Sequence, residues 1–103
     1  MSQILVMVAT EPEIDNAQKV ATLILEKKLA ACISLKEISS TYFWEGKIVR
    51  SSEIEISIKS IPKNQNRLIE ILKKELTNDL PEIIFKNYNS ESQYFSWVNS
   101  SIN

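Results

Sequence analysis

The chain contains no histidine. Imidazole is the commonest general base near neutral pH and the commonest transition-metal ligand, so Ser-His-Asp catalysis, Cys-His catalysis and histidine-built zinc sites are excluded within this sequence. A single cysteine rules out an internal disulfide and a four-thiolate metal site, and it suits a reducing cytoplasm, the expected compartment. The segment after the first apolar run reads Thr10-Glu11-Pro12-Glu13. It is neither a glycine-rich phosphate cradle nor a Cys-x-x-Cys metal-transfer loop. Neither sign of charge is in excess, with 12 basic and 13 acidic side chains, so no global field draws the chain to nucleic acid or to an anionic membrane. Long apolar runs are missing too. The run over 4–9 is too short to span a bilayer or to serve as a signal-peptide core.

What is present fits one domain over residues 1–103, large enough for a single core. The apolar stretch 4–10 predicts a buried strand. A helix is expected over 14–28, with Ala17, Val20, Ala21 and Ile24 at helical spacing, Glu13 or Asp15 at its start and Lys27-Lys28 in its last turn. Residues 29–59 read as one long hairpin turning at Gly46, the only glycine, where a positive φ costs nothing. A second helix over 64–76 carries Leu68, Ile69, Leu72 and Leu76 on one stripe. A strand over 83–88 follows, and a short helix over 90–98 offers Tyr94, Phe95, Trp97 and Val98 to the core. The order β-α-β-β-α-β plus a terminal helix is the ferredoxin-like arrangement of the α+β class, with two helices on one sheet face and the other face open.

The hairpin carries the strongest signal. Arms of roughly 14 residues are more than twice the usual strand length of about 5 to 6, and a small domain cannot cover them. The overhang, tipped with Tyr42, Phe43 and Trp44, is expected to bury itself against another copy of the chain. With Glu45 and Gly46 as the turn, Ile33 faces Ile58, Leu35 faces Ile56, Lys36 faces Glu55 and Cys32 faces Lys59. Farther out Glu37 opposes Ile54 and Ile38 opposes Glu53. That mismatch predicts a β-bulge or bend within 36–38 or 50–52.

Candidate chemistry is sparse. Cys32 opposite Lys59 is the one thiol, and a lone strand cysteine after two alanines is most often a small buried hydrophobe. Glu53, Glu55 and Glu82 could bind a hard cation or act as acid and base, although alternating acids on a strand more commonly form a solvated or inter-subunit face. An RNA-recognition sheet would need basic and aromatic residues where Glu53 and Glu55 stand. Tyr94 and Trp97 are expected in the core.

Five segments carry a family likeness: Leu29-Ala30-Ala31-Cys32-Ile33, Tyr42-Phe43-Trp44-Glu45-Gly46-Lys47, Ile58-Lys59-Ser60, Pro81-Glu82-Ile83 and Tyr94-Phe95-Ser96-Trp97-Val98. In order and spacing they resemble the CutA divalent-cation tolerance family. The resemblance implies a ferredoxin-like protomer and a compact homotrimer similar to PII signalling proteins, its long hairpins gripping neighbouring subunits. It also implies a non-enzymatic role in tolerance of copper and other divalent metals, as a binding or signalling module. The family's metal-ligating positions, a Cys-Pro after the first strand and a His-Pro-Tyr before the Pro-Glu, here read Glu11-Pro12 and Leu76-Thr77-Asn78-Asp79. Candidate ligands for a divalent ion such as copper are then Cys32, Glu11 and Glu82. The expected functional surface is an inter-subunit cleft near Tyr42, Trp44, Lys59, Glu82 and Trp97, open to a metal ion or small ligand. A small-molecule enzyme whose active site is assembled between subunits, using Lys59, Cys32 and carboxylates, is the competing reading.

Overall fold

The computed structural model describes residues 2–102. Its elements are β1 (Gln3–Glu11), α1 (Ile14–Glu26), β2 (Cys32–Trp44), β3 (Lys47–Ser60), α2 (Gln65–Glu75), β4 (Ile83–Asn89) and α3 (Ser92–Ile102), with a 3-10 turn at Pro62–Asn64 leading into α2. The sheet order is β2-β3-β1-β4, and every neighbouring pair is antiparallel. This is the expected ferredoxin-like α+β topology. No helix among the described residues is long and apolar enough to cross a membrane.

Strand alternation sorts the core. Leu5, Met7 and Ala9 of β1 and Ile54, Ile56 and Ile58 of β3 are buried on one face, against Ala17, Val20 and Ile24 of α1 and Leu68 and Leu72 of α2. Each large aliphatic side chain buried there contributes about 1.5–3 kcal/mol at most. The opposite face is not wholly open, which corrects the sequence expectation. Ile4 and Val6 of β1 meet Val98, Ile102 and Phe95 of α3, together with Ile61 and Ala31. The helix runs to Ile102 rather than stopping near residue 98, because Ile102 completes this second cluster. Its start is fixed by Glu91, whose carboxylate accepts the amides of Gln93 and Tyr94 at 2.9 Å each. Those two bonds hold the Glu91 carboxyl below the ordinary glutamate value.

Helix α1 also ends earlier than its sequence suggests. Lys27 is the C-cap and Lys28 has φ 56°. The amide of Lys28 donates to Leu25 O at 2.9 Å and that of Leu29 to Ile24 O at 3.2 Å, the left-handed closing motif that usually takes glycine. The hairpin turn shows a similar feature. Glu45 has φ 51° and Gly46 φ 78°, as a type I′ turn requires at both central positions.

The hairpin register is the expected one and continues without a break from Cys32 opposite Lys59 to Trp44 opposite Lys47. No bulge interrupts it, so the predicted bend within 36–38 or 50–52 is wrong. Glu37 stands opposite Ile54 and Ile38 opposite Glu53. The mismatch is tolerated because β2 is the sheet's edge strand: Glu37 reaches water there, while Ile54 on the inner strand is buried.

Strand β1 stops at Glu11, opposite Ile54. The seven hairpin pairs beyond it, from Ile38 and Glu53 to Trp44 and Lys47, have no third strand beside them. At roughly 3.4 Å per residue they project about 24 Å, which accounts for much of the 45 Å long axis.

Two substitutions test the backbone reading. Lys28→Gly and Glu45→Asn each relieve a side chain held at positive φ and are expected to stabilise the fold by about 0.5–1 kcal/mol, read as a higher urea midpoint. A lower midpoint for both would contradict the assigned caps and turn.

Candidate functional site

Glu11, the last residue of β1, lies on the core side of the strand and is fully buried (0% exposed). Its carboxylate ties three chain segments together. Oε1 accepts Asn16 Nδ2 at 3.0 Å and the Thr77 amide at 2.9 Å, while Oε2 accepts the Glu13 amide at 3.0 Å and Thr77 Oγ1 at 2.6 Å. Asn16 extends the network by donating to Glu75 O at 2.9 Å. The start of α1, the end of α2 and the end of β1 thus meet at one side chain. Burial by itself pushes the Glu11 carboxyl up. The hydroxyl and amide of Thr77, the amide of Glu13 and the side chain of Asn16 outweigh it and bring the group below its ordinary value.

Thr77 begins a loop that crosses the end of the sheet. The next residue, Asn78, donates from Nδ2 to Thr10 O at 3.2 Å, while its Oδ1 is buried and has no hydrogen-bond partner among the described residues. Between this loop and the overhang lies an open cleft of about 790 Å³. The hairpin contributes Ser40, Thr41, Tyr42, Phe43 and Trp44 to its wall, with Tyr42 and Trp44 two apart on one face of β2. The Tyr42 hydroxyl lies 3.2 Å from Ser51 Oγ on the adjacent strand, which holds the ring along the hairpin. Three carboxylates line the same space, Glu53 from β3 and Asp79 and Glu82 from the loop, and no lysine or arginine does.

Of the five cleft residues expected from sequence, Tyr42, Trp44 and Glu82 come together. Within the protomer, Lys59 and Trp97 lie elsewhere. Lys59 sits at the base of the hairpin between Val6 and Cys32, with its Nζ 3.4 Å from Ser57 Oγ. Trp97 packs against Tyr94 with ring centroids 5.7 Å apart and the rings tilted by 32°. Both rings are substantially exposed, Trp97 48% and Tyr94 42%, against the expectation that they are core. Helix α3 gives its other stripe, Phe95, Val98 and Ile102, to the sheet.

The candidate metal ligands are also dispersed. Glu11 has both oxygens doubly occupied by donors, so no lone pair is left for a cation. Cys32 is a free, half-buried thiol at the hairpin base, and Glu82 lines the cleft at the far end of the sheet. Among the described residues no group of three or more Cys, Asp or Glu side chains could hold a metal ion. A divalent ion therefore does not fit these residues within one protomer. Asn78 and Asp79 are cleft residues that the spacing of the chain did not reveal. The available signal was a polar loop between α2 and Pro81, standing where the resemblance places a ligand segment.

The sequence profile described as CutA1 divalent ion tolerance protein matches residues 5–101. The divalent-cation tolerance protein CutA of Pectobacterium atrosepticum is 36% identical over 99 residues, covering 94% of this chain and 90% of that protein. Among solved structures, CutA from Synechococcus elongatus superimposes with a TM-score of 0.94 at 29% identity, covering 100% of this chain and 93% of the other. The periplasmic divalent cation tolerance protein CutA from Archaeoglobus fulgidus gives a TM-score of 0.92 at 25% identity, with 97% and 99% covered.

The Glu11 knot makes a signed prediction. A carboxyl whose folded-state pKa is depressed stabilises fully above its unfolded value of about 4.3 and loses that contribution as pH falls through the folded value. Urea midpoints of the parent should therefore decline on acidification below that range, and Glu11→Gln should flatten the decline. Glu11→Ala strands several buried donors and is expected to cost about 2–4 kcal/mol at neutral pH. A neutral-pH loss well under 1 kcal/mol would remove the knot from the account.

Proposed function

This chain belongs to the CutA1 divalent ion tolerance family, and from that premise we propose that it serves divalent-cation tolerance as a non-enzymatic binding or signalling module working as a cytoplasmic homotrimer. The observation that carries the assembly is the overhang. Tyr42 and Trp44 are more than half covered, but Phe43 and Ile48, cross-strand partners on the other face of the hairpin, are 75% and 67% exposed, Phe43 also bordering the cleft. Paired apolar side chains so far from any core are stabilised by burial against another copy. Ile84 and Tyr88 of β4, exposed on the sheet face that α3 covers only in part, supply further apolar surface for the same purpose.

The absence of catalysis is supported by the separation of the reactive side chains from the cleft. Cys32 and Lys59 stand together at the hairpin base, while the cleft is lined by aromatics, hydroxyls and carboxylates. No imidazole exists to activate a hydroxyl. The divalent ion, copper included, enters this reading as the stress to which the protein responds rather than as a resident cofactor. The lone free thiol suits a reducing cytoplasm.

Light scattering is expected to give the mass of three chains for the parent at micromolar concentration, and Phe43→Glu with Ile48→Lys is expected to shift it to one. A monomeric parent would overturn the assembly. In calorimetric titrations with copper(II), zinc and calcium, Cys32→Ser should behave as the parent does. A micromolar copper heat that vanishes with the thiol would instead establish direct ligation.

A further inference from the structure

The two walls of the cleft are held by different means. The loop wall is tied into the core: the buried Glu11 carboxylate accepts the Thr77 amide at 2.9 Å and the Thr77 hydroxyl at 2.6 Å, and Asn78 Nδ2 donates to Thr10 O at 3.2 Å. The hairpin wall, Ser40, Thr41, Tyr42, Phe43 and Trp44, lies wholly within the seven pairs that have no third strand beside them. No residue over 38–53 is buried, and every residue over 41–48 is exposed. Between the core and the aromatic tip the pairs are Ser39 with Ser52, Ser40 with Ser51 and Thr41 with Arg50. They form a waist of mostly short hydroxyl side chains that offer little apolar surface to one another. Among the described residues, the Tyr42–Ser51 hydroxyl contact at 3.2 Å is the one side-chain hydrogen bond in this span.

We propose that the cleft is gated by assembly: its hairpin wall keeps the position that forms the cleft only while a second copy clamps the overhang, with the hydroxyl waist as the hinge. An isolated two-stranded ribbon is marginal in water, and segments with few buried contacts open locally at a free energy far below that of the core. Phe43 carries the coupling. It pairs with Ile48, at 75% and 67% exposure the apolar surface offered to a second copy, and it also borders the cleft. Covering that pair therefore orders the same strands that supply the wall. By linkage, anything that fills the cleft favours the assembled form in return.

The inference rests on the self-association proposed above and adds a conditional site to it. Amide hydrogen exchange on the intact protein, read by mass spectrometry with light scattering on the same samples, is the test. Ile84→Lys with Tyr88→Glu dissociates the assembly without touching the hairpin, since both residues are exposed on β4. In the assembled parent the amides over 41–50 are expected to be protected. In the dissociated variant they should exchange at least about a hundredfold faster, while those of Ile54, Ile56 and Ile58, on the stretch of β3 paired with β1, change by less than about threefold and show that the core is folded. A second dissociated form, Phe43→Glu with Ile48→Lys, should show the same contrast, so that a fault confined to β4 cannot mimic it. Loss of protection that spreads to the core amides in both forms overturns the gate, because hairpin and core then open as one unit. Equal protection of 41–50 in trimer and monomer overturns the gate alone and leaves the assembly standing, whereas a monomeric parent sinks both.

Discussion

The unequal length of the strands governs the molecule. β2 and β3 have 13 and 14 residues, whereas β1 and β4 have nine and seven. A sheet whose inner strand stops at Glu11 cannot support the outer half of the hairpin, and the helices that cover the core end with it. From this mismatch follow the overhang, its exposed apolar pairs, and the cleft that opens where the hairpin leaves the sheet. Backbone pairing and the Tyr42–Ser51 hydroxyl contact hold the outer seven pairs together. Such a ribbon is marginal in water unless another surface covers one of its faces.

The point where the hairpin departs is secured by polar rather than apolar contacts. Glu11 gathers donors from the start of α1 and from the loop after α2. A hydrophobic residue there would leave those amides unpaired, and an unpaired buried donor costs about 1–3 kcal/mol. The same carboxylate that looks like a ligand in sequence is, in the fold, a fully engaged acceptor. Its position also sets the path of the residues that follow Thr77, so Asn78, Asp79 and Glu82 reach the cleft because Glu11 anchors the loop.

Period-two alternation gives the overhang two distinct faces. Tyr42 and Trp44 lie on one face, while Phe43 and Ile48 pair on the other, with Phe43 also bordering the cleft. The unbroken register matters for this division, because a one-residue slip would exchange the two faces. The predicted bulge would have produced such an exchange. Its absence shows that an edge strand can set Glu37 against Ile54 without repair, since water reaches one of the two.

Local information in the chain sufficed for the order of elements, the turn at Glu45 and Gly46, the hairpin register and the isoleucine stripe of β3. All of these depend on periodicity or on residues adjacent in sequence. The family was legible as well, because its segments recur in order along the chain. Apart from the bulge and the end of α1, the reading fails where distant segments meet. Trp97 and Tyr94 were assigned to the core by their apolar character, but which stripe of α3 docks is decided by the positions of Ile4, Val6 and Ile61 beneath it. Lys59 and Glu82 were both expected beside one inter-subunit cleft, yet within the protomer the sheet places them toward opposite ends. Cleft formation brings Thr10 near Asn78, 68 positions away, and no spacing rule connects them. The sequence by itself determined the strands, the hairpin's register and the length of its arms, which are properties of neighbouring residues. The tertiary structure alone decided which carboxylates are consumed as internal acceptors and which remain free, because that depends on which donors the fold brings within hydrogen-bonding distance.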